Sequence, residues 1–100
     1  MNDRLPPLPH EQLDDAQRAA ADELIAGPRK AVKGPFIPLL RSPELLQRVG
    51  KLGEYLRFGS TLPTRVNEFA TLIVARAWTQ QFEWAVHAAA AAKAGTSAAA

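Results

Sequence analysis

Apolar residues recur along this chain at steps of three and four, and no stretch alternates in the manner of a β-strand. The first such pattern predicts a helix from about Pro9 or Glu11 to Ala26. Residues 1–9 hold three prolines, which remove backbone N–H donors and predict an extended arm. The pattern as a whole predicts an all-α fold.

The middle of the chain predicts an ordered loop followed by a second helix. Residues 27–41 are rich in proline and glycine yet too apolar for a free linker. Ser42 and Pro43 are typical of an N-cap and a first helical position. Gly50 and Gly53 predict a close-packing seam, or else a weakened helix. The apolar positions expected on the buried side of this helix are Leu45, Leu46, Val49, Leu52 and Leu56.

The longest helical pattern begins after Pro63 and continues for about 30 residues, which is well above the usual helix length. We therefore expect a break near Trp78-Thr79, with Thr79 capping the second piece. Gly95 is expected to end that second piece, because glycine adopts the left-handed conformation common at helix ends.

The last residues suggest a further helix start. Thr96 or Ser97 is a suitable N-cap for residues 98–100, which predicts a domain that is cut short. The domain organisation that we expect is an arm over residues 1–9 and a single, incomplete helical domain over residues 10–100.

Composition narrows the possible partners. The net charge is +2, and the only basic cluster is Arg29, Lys30 and Lys33 in a loop, where solvation is the ordinary role. No apolar run reaches the roughly 18 residues of a membrane span, and the N-terminus lacks a signal-peptide pattern. We expect a cytoplasmic protein with no nucleic-acid partner and no membrane contact. The chain contains no cysteine, so its own residues offer no thiolate chemistry.

A polar stripe crosses the apolar C-terminal helical pattern. On a helix of 3.6 residues per turn, its members lie within about 120° of one another. These residues are Glu68, Arg76, Gln80, Glu83 and His87. A helix that is apolar nearly all round is usually buried, and a buried carboxylate is costly unless it is paired.

Three interpretations of the stripe remain open. Glu83 and His87 are four residues apart and are compatible with a simple helix pair, with Glu68 pairing to Arg65 or another basic side chain. A carboxylate beside an imidazole is also the arrangement of a proton-transfer site. A metal site is the weakest interpretation, because one histidine with scattered glutamates does not match a ligand pattern.

The same residues resemble a known family. The stretch GPFIPLLRSPELLQRVGKLGEYLRFGSTLPTRVNEFATLIVARAWTQQFEWAVHAAAAAKAG is similar to the carboxymuconolactone decarboxylase family, which includes alkylhydroperoxidase-like proteins. The likeness covers about residues 5–97. It implies a small all-α domain of the alkylhydroperoxidase-like type that assembles into trimers or hexamers.

The redox branch of that family carries the motif E-x11-C-x-x-C-x-x-x-H. Glu68 and His87 match its ends, whereas Gln80 and Glu83 occupy the two cysteine positions. Peroxidase chemistry by that route needs a thiolate and is not expected here. The resemblance instead implies the cysteine-free branch, with proton transfer that uses neither a metal nor an organic cofactor.

The function that we expect is a cofactor-free lyase of decarboxylase type acting on a small carboxylic acid or lactone. The alternative is a non-catalytic helical domain for oligomerisation or small-molecule binding. The residues expected for catalysis are His87, Glu83 and Glu68, and those expected for substrate binding are Arg76, Gln80 and Trp84.

Overall fold

The computed structural model describes residues 3–97 and residue 99. Within these residues the secondary structure is helical and no strand occurs, so the all-α prediction is confirmed. None of their helices is both long enough and apolar enough to cross a membrane. The chain divides into two compact units, Met1–Leu56 and Arg57–Ala100. A single domain over residues 10–100 stays a prediction.

The first unit opens with a non-helical arm and a 3-10 turn, His10–Gln12, before helix α1, Asp15–Ala26. The predicted start of this helix, Pro9 or Glu11, was several residues too early. The Asp14 side chain accepts a hydrogen bond from Gln17 N at 2.8 Å, and the Gln17 side chain accepts one from Asp14 N at 3.0 Å. This capping box fixes the start of α1 after the prolines of the arm.

The predicted loop and second helix are present with one addition. The loop contains a single helical turn, α2, Phe36–Leu39. Helix α3, Pro43–Glu54, begins as predicted with proline in its first turn and Ser42 at the N-cap. The Ser42 side chain makes no capping hydrogen bond, so proline and the backbone geometry set this helix start.

The core of the first unit lies mainly where α1, α2 and α3 pack together, and it is built from Leu13, Ala20, Ala21, Phe36, Leu40 and Leu46. Leu8 of the arm packs against it. Five positions were expected on the buried side of the second helix, of which Leu56 lies beyond the end of α3 and Leu46 alone is buried. The prediction was wrong for Leu45, Val49, Leu52 and Leu56, which are 37–61% exposed.

The narrowness of the α1–α3 contact explains this difference. On α3 the buried residues are Leu46 and Gly50. A Cβ atom at Gly50 would lie 3.6 Å from Leu24 Cδ1, an ordinary contact distance, so the predicted close-packing seam stays a prediction there. Gly53 instead faces Arg29, whose Nη2 would lie 2.7 Å from an added Cβ.

The second unit is a helical hairpin. A π-helical turn, Tyr55–Gly59, begins at the end of the first unit and runs into the second. The hairpin itself consists of α4, Thr64–Ala77, and α5, Gln81–Lys93. The predicted break is confirmed, but the predicted cap is wrong. Thr79 adopts φ +52° in the turn, and Gln80 is the N-cap, its Oε1 accepting from Phe82 N at 3.1 Å.

The end of α5 agrees with the prediction that Gly95 closes it. Gly95 has φ +100° and donates to Ala92 O at 3.1 Å, while Thr96 N donates to Ala91 O at 2.9 Å. This is the Schellman arrangement. Ser97 Oγ accepts from the next described amide, that of residue 99, at 3.2 Å. The predicted helix start over residues 98–100 includes Ala98 and Ala100, which lie outside the described residues.

Candidate functional site

The inner face of the hairpin carries a buried acid–base pair. The buried face of α4 consists of Glu68, Leu72 and Ala75, which are spaced four and three residues apart. His87 lies on the buried face of α5 with Ala91. Glu68 and His87 are only 4% and 8% exposed. Glu68 Oε2 and His87 Nδ1 form a hydrogen bond between the two helices.

A second carboxylate approaches the other side of the imidazole. Glu83 Oε2 lies 3.3 Å from His87 Nε2, one helical turn away, and the Glu83 side chain is 33% exposed. A neutral imidazole has one donor and one acceptor nitrogen. With a carboxylate at each nitrogen, satisfying both contacts requires an additional proton on the imidazole or on a carboxyl group. Such an arrangement can pass a proton between the imidazole and a carboxyl group.

Arg57 is the functional-site residue that sequence reasoning did not identify. It lies in the π-helical turn, and its Nε is 3.6 Å from Glu68 Oε1, at ion-pair distance. Sequence reasoning expected Arg65 or another basic side chain as the partner of Glu68, without naming Arg57. Arg57 lies in LGEYLRF, one of the segments that resemble the family, and this was the available signal for it. Helical periodicity does not reveal a π-helical turn, so the direction of the Arg57 side chain was not predictable.

The polar stripe was predicted by placing all five residues on one continuous helix, and this assumption was wrong. Glu68 and His87 meet because the chain reverses at residues 78–80, and not because they share one face of a continuous helix. Only Glu83 and His87 form the expected pair along one helix.

The three residues expected to bind substrate are grouped near this reversal. Arg76, Gln80 and Trp84 line an open cavity of about 390 Å³. The rest of its lining comes from Ala75, Thr79 and Gln81. Glu68, Glu83 and His87 are not among the lining residues, so the acid–base group and the cavity are distinct features of one hairpin. Trp84 and His87 are three residues apart on α5, which places them about one turn from each other.

Metal binding was the weakest interpretation of the stripe. Across residues 3–97 and 99, no group of three or more histidine, cysteine or acidic side chains is arranged to hold a metal ion. The prediction that the site needs no metal stays a prediction.

The fold and site together define a small all-α protein in which a helical hairpin encloses a carboxylate–imidazole pair. The model of the carboxymuconolactone decarboxylase family matches residues 43–100. The chain belongs to this family. The match includes every residue of the acid–base group and of the cavity. Comparison with curated proteins and with solved structures found no match.

Proposed function

We propose that this protein is a cofactor-free lyase that decarboxylates a small lactone acid or related carboxylic acid. The observation that carries the proposal is the buried hydrogen bond between Glu68 and His87, with Glu83 at the opposite nitrogen. A buried carboxylate that orients an imidazole, whose second nitrogen faces a more exposed group, is a recurring arrangement in general acid–base catalysis.

The reaction balances with one proton. The bond from the substrate carbon to its carboxylate breaks, carbon dioxide leaves, and the electron pair passes into a conjugated carbonyl of the substrate. A proton is then delivered to carbon and the enzyme recovers one from solvent. In the proposed mechanism His87 is the general acid or base, Glu83 exchanges the proton with it, and Glu68 orients the ring.

Substrate binding is assigned to the cavity at the hairpin turn. Arg76 supplies a guanidinium suited to a carboxylate, and Trp84 supplies an apolar ring surface. Gln80 caps α5 with its side-chain oxygen and leaves its amide group as a donor. A substrate anchored here reaches the acid–base group by lying along α5 toward Glu83.

The test is release of carbon dioxide from carboxymuconolactone, the compound in the family's name. We expect the His87→Ala variant to lower kcat by about 10²- to 10⁴-fold. His10→Ala is the matched control, because His10 is the chain's other histidine and its side chain is exposed. Equal rates for wild type and His87→Ala would remove His87 from the mechanism, and an inactive wild type would remove this substrate.

We also propose that the protein works as a homo-oligomer, a trimer or hexamer. Many large apolar side chains are exposed, among them Trp78 at 81%, Leu52 at 61% and Val74 at 59%. Extensive apolar exposure marks interaction surfaces. The same observation supports the alternative function, a non-catalytic oligomerisation or binding domain. A stable oligomer without decarboxylase activity would favour that alternative.

Two expectations from the sequence have no further support. A cytoplasmic location stays an expectation from the sequence, based on its apolar runs and its N-terminal pattern. The absence of cysteine in these 100 residues leaves them no thiolate for the disulfide cycle of the redox branch, so peroxidase activity is not part of the proposal.

A further inference from the structure

We propose that Arg57 is a positioning residue, which fixes the proton of His87 on Nδ1 and so keeps Nε2 as the nitrogen that exchanges protons with Glu83. This inference deepens the proposed function and rests on it for its catalytic meaning. The protonation pattern itself can be measured without any turnover.

The two oxygens of Glu68 have different partners. Oε1 lies 3.6 Å from Arg57 Nε, and Oε2 is hydrogen-bonded to His87 Nδ1. Arg57 Nε makes no hydrogen bond to Oε1 and acts on the carboxylate through its charge, whereas the hydrogen bond at Oε2 sets the orientation of the carboxylate toward the ring. The Glu68 side chain is only 5% exposed, so water offers it little alternative solvation.

The charge of Arg57 decides which atom holds the shared proton. A carboxylate buried without a cation is unfavourable, and the proton would then pass from Nδ1 of the doubly protonated ring to Glu68, which leaves a neutral ring with its proton on Nε2. The positive charge beside Oε1 favours the carboxylate form, which accepts a hydrogen bond from Nδ1–H. The proton that remains exchangeable is therefore on the Nε2 side, where Glu83 lies.

The enclosure of Arg57 strengthens its effect on Glu68. Its side chain is 27% exposed, its Nε is buried, and its guanidinium lies 5.1 Å from the centre of the Phe58 ring. A partly buried charge is screened less by salt and water than a surface charge. By contrast, Arg65 is exposed at the start of α4.

The experiment is ¹⁵N NMR of the imidazole nitrogens, which resonate at well-separated frequencies when protonated and when bare. A His10→Asn background leaves His87 as the only histidine signal. We expect the Nδ1 resonance to be that of a protonated nitrogen, whether Nε2 carries a proton or not. A bare Nδ1 in this background would overturn the proposal even if no Arg57 variant folds.

Three variants complete the test, with folding checked by circular dichroism. Arg57→Gln should remove the proton from Nδ1 in the neutral ring, Arg57→Lys should restore it, and Arg65→Gln should change nothing. The first variant should also lower kcat by about tenfold or more with KM nearly unchanged. A folded Arg57→Gln protein with the wild-type ¹⁵N pattern would contradict the proposal. So would a raised KM with kcat unchanged, because that result makes Arg57 a substrate-binding group.

The two proposals fail separately. If the Nδ1 pattern depends on Arg57 but the protein releases no carbon dioxide, the positioning role stands and the proposed reaction falls. If His87→Ala abolishes activity but Nδ1 is bare in the His10→Asn background, the proposed reaction stands and the positioning role falls.

Discussion

At the scale of single residues, the hairpin treats its two glutamates differently. Glu68 is enclosed between an arginine and a histidine, whereas Glu83 is one-third exposed and contacts the same histidine from its own helix. Burial makes an ion pair costly to break, because the remaining partner keeps its desolvation penalty. An exposed ion pair contributes little to stability, because water solvates the partner that remains when the pair is broken.

This contrast predicts unequal effects on stability. We expect Glu68→Ala to lower the free energy of unfolding by about 3 kcal/mol, since it leaves Arg57 and His87 without their shared carboxylate. Glu83→Ala, the matched control, should lower it by at most about 0.5 kcal/mol, the scale of a helix pair. Urea unfolding followed by circular dichroism measures both. Similar losses for the two variants would contradict the burial argument.

Sequence reasoning reached the correct residues at this scale by an incomplete route. Glu68 and His87 were predicted from helical spacing and from the E-x11 register, and the structure brings them together through a chain reversal. Arg57 was missed because its approach depends on a π-helical turn, which shifts side-chain directions relative to an α-helix.

At the scale of elements, the reversal between α4 and α5 is the feature that creates the site. Its central residue, Thr79, has φ +52°, a region that a β-branched side chain rarely adopts. Such strain persists only where the surrounding structure enforces it. Here Thr79 N donates to Arg76 O at 3.2 Å and Gln80 N donates to Ala75 O at 2.8 Å, which holds the turn closed.

Relief of this strain should be measurable. We expect Thr79→Gly to raise the free energy of unfolding by up to about 1 kcal/mol. Glycine removes the energetic cost of the left-handed conformation, and part of this gain is lost because glycine has more conformational freedom in the unfolded chain. Thr71→Gly is the matched control in the interior of α4 and should instead be destabilising by up to about 1 kcal/mol. Thermal unfolding compares the two. A loss of stability in both variants would mean that Thr79 carries no strain.

The positions of helices were more predictable than their ends. Proline at position 43, the break near residue 78 and glycine at position 95 are local signals, and each was interpreted correctly. The start of α1 and the cap of α5 were not. Each depends on which of several neighbouring polar side chains folds back onto the backbone, and propensity does not separate Asp14 from earlier residues or Gln80 from Thr79.

At the scale of the whole molecule, apolar surface remains outside the cores. On α3, the side chains of Leu45, Val49 and Leu52 are exposed at steps of four and three residues, which forms a continuous stripe along the helix. The buried residues of α3 are Leu46 and Gly50 alone. The stripe is the surface on which we base the test of self-association.

Charges placed in the stripe should separate the proposed oligomer. We expect wild type to sediment as a trimer or hexamer and the double variant Val49→Lys, Leu52→Lys to sediment as a smaller species, because burying two ammonium groups is unfavourable. Gln12→Lys with Ala19→Lys adds the same charges at exposed positions outside the stripe and should leave the assembly intact. Assembly that survives the stripe variant would exclude α3 from the interface, and a monomeric wild type would remove the oligomer proposal.

The fold class and the family were predictable at this scale, and the burial of individual apolar residues was not. Helical spacing shows that α3 has an apolar side, but it does not show how much of that side a 100-residue chain can cover with its other elements. The family match over residues 43–100 begins at the first residue of α3.

The helical hairpin also shapes how its acid–base pair comes together during folding. Glu68 and His87 are 19 residues apart in sequence, so their contact closes a short loop whose entropy penalty grows only with the logarithm of its length. Arg57, Glu83 and the cavity residues all belong to the same continuous segment. The residues proposed for this chemistry therefore all lie within residues 57–87, so the site can assemble from contacts that are short in sequence.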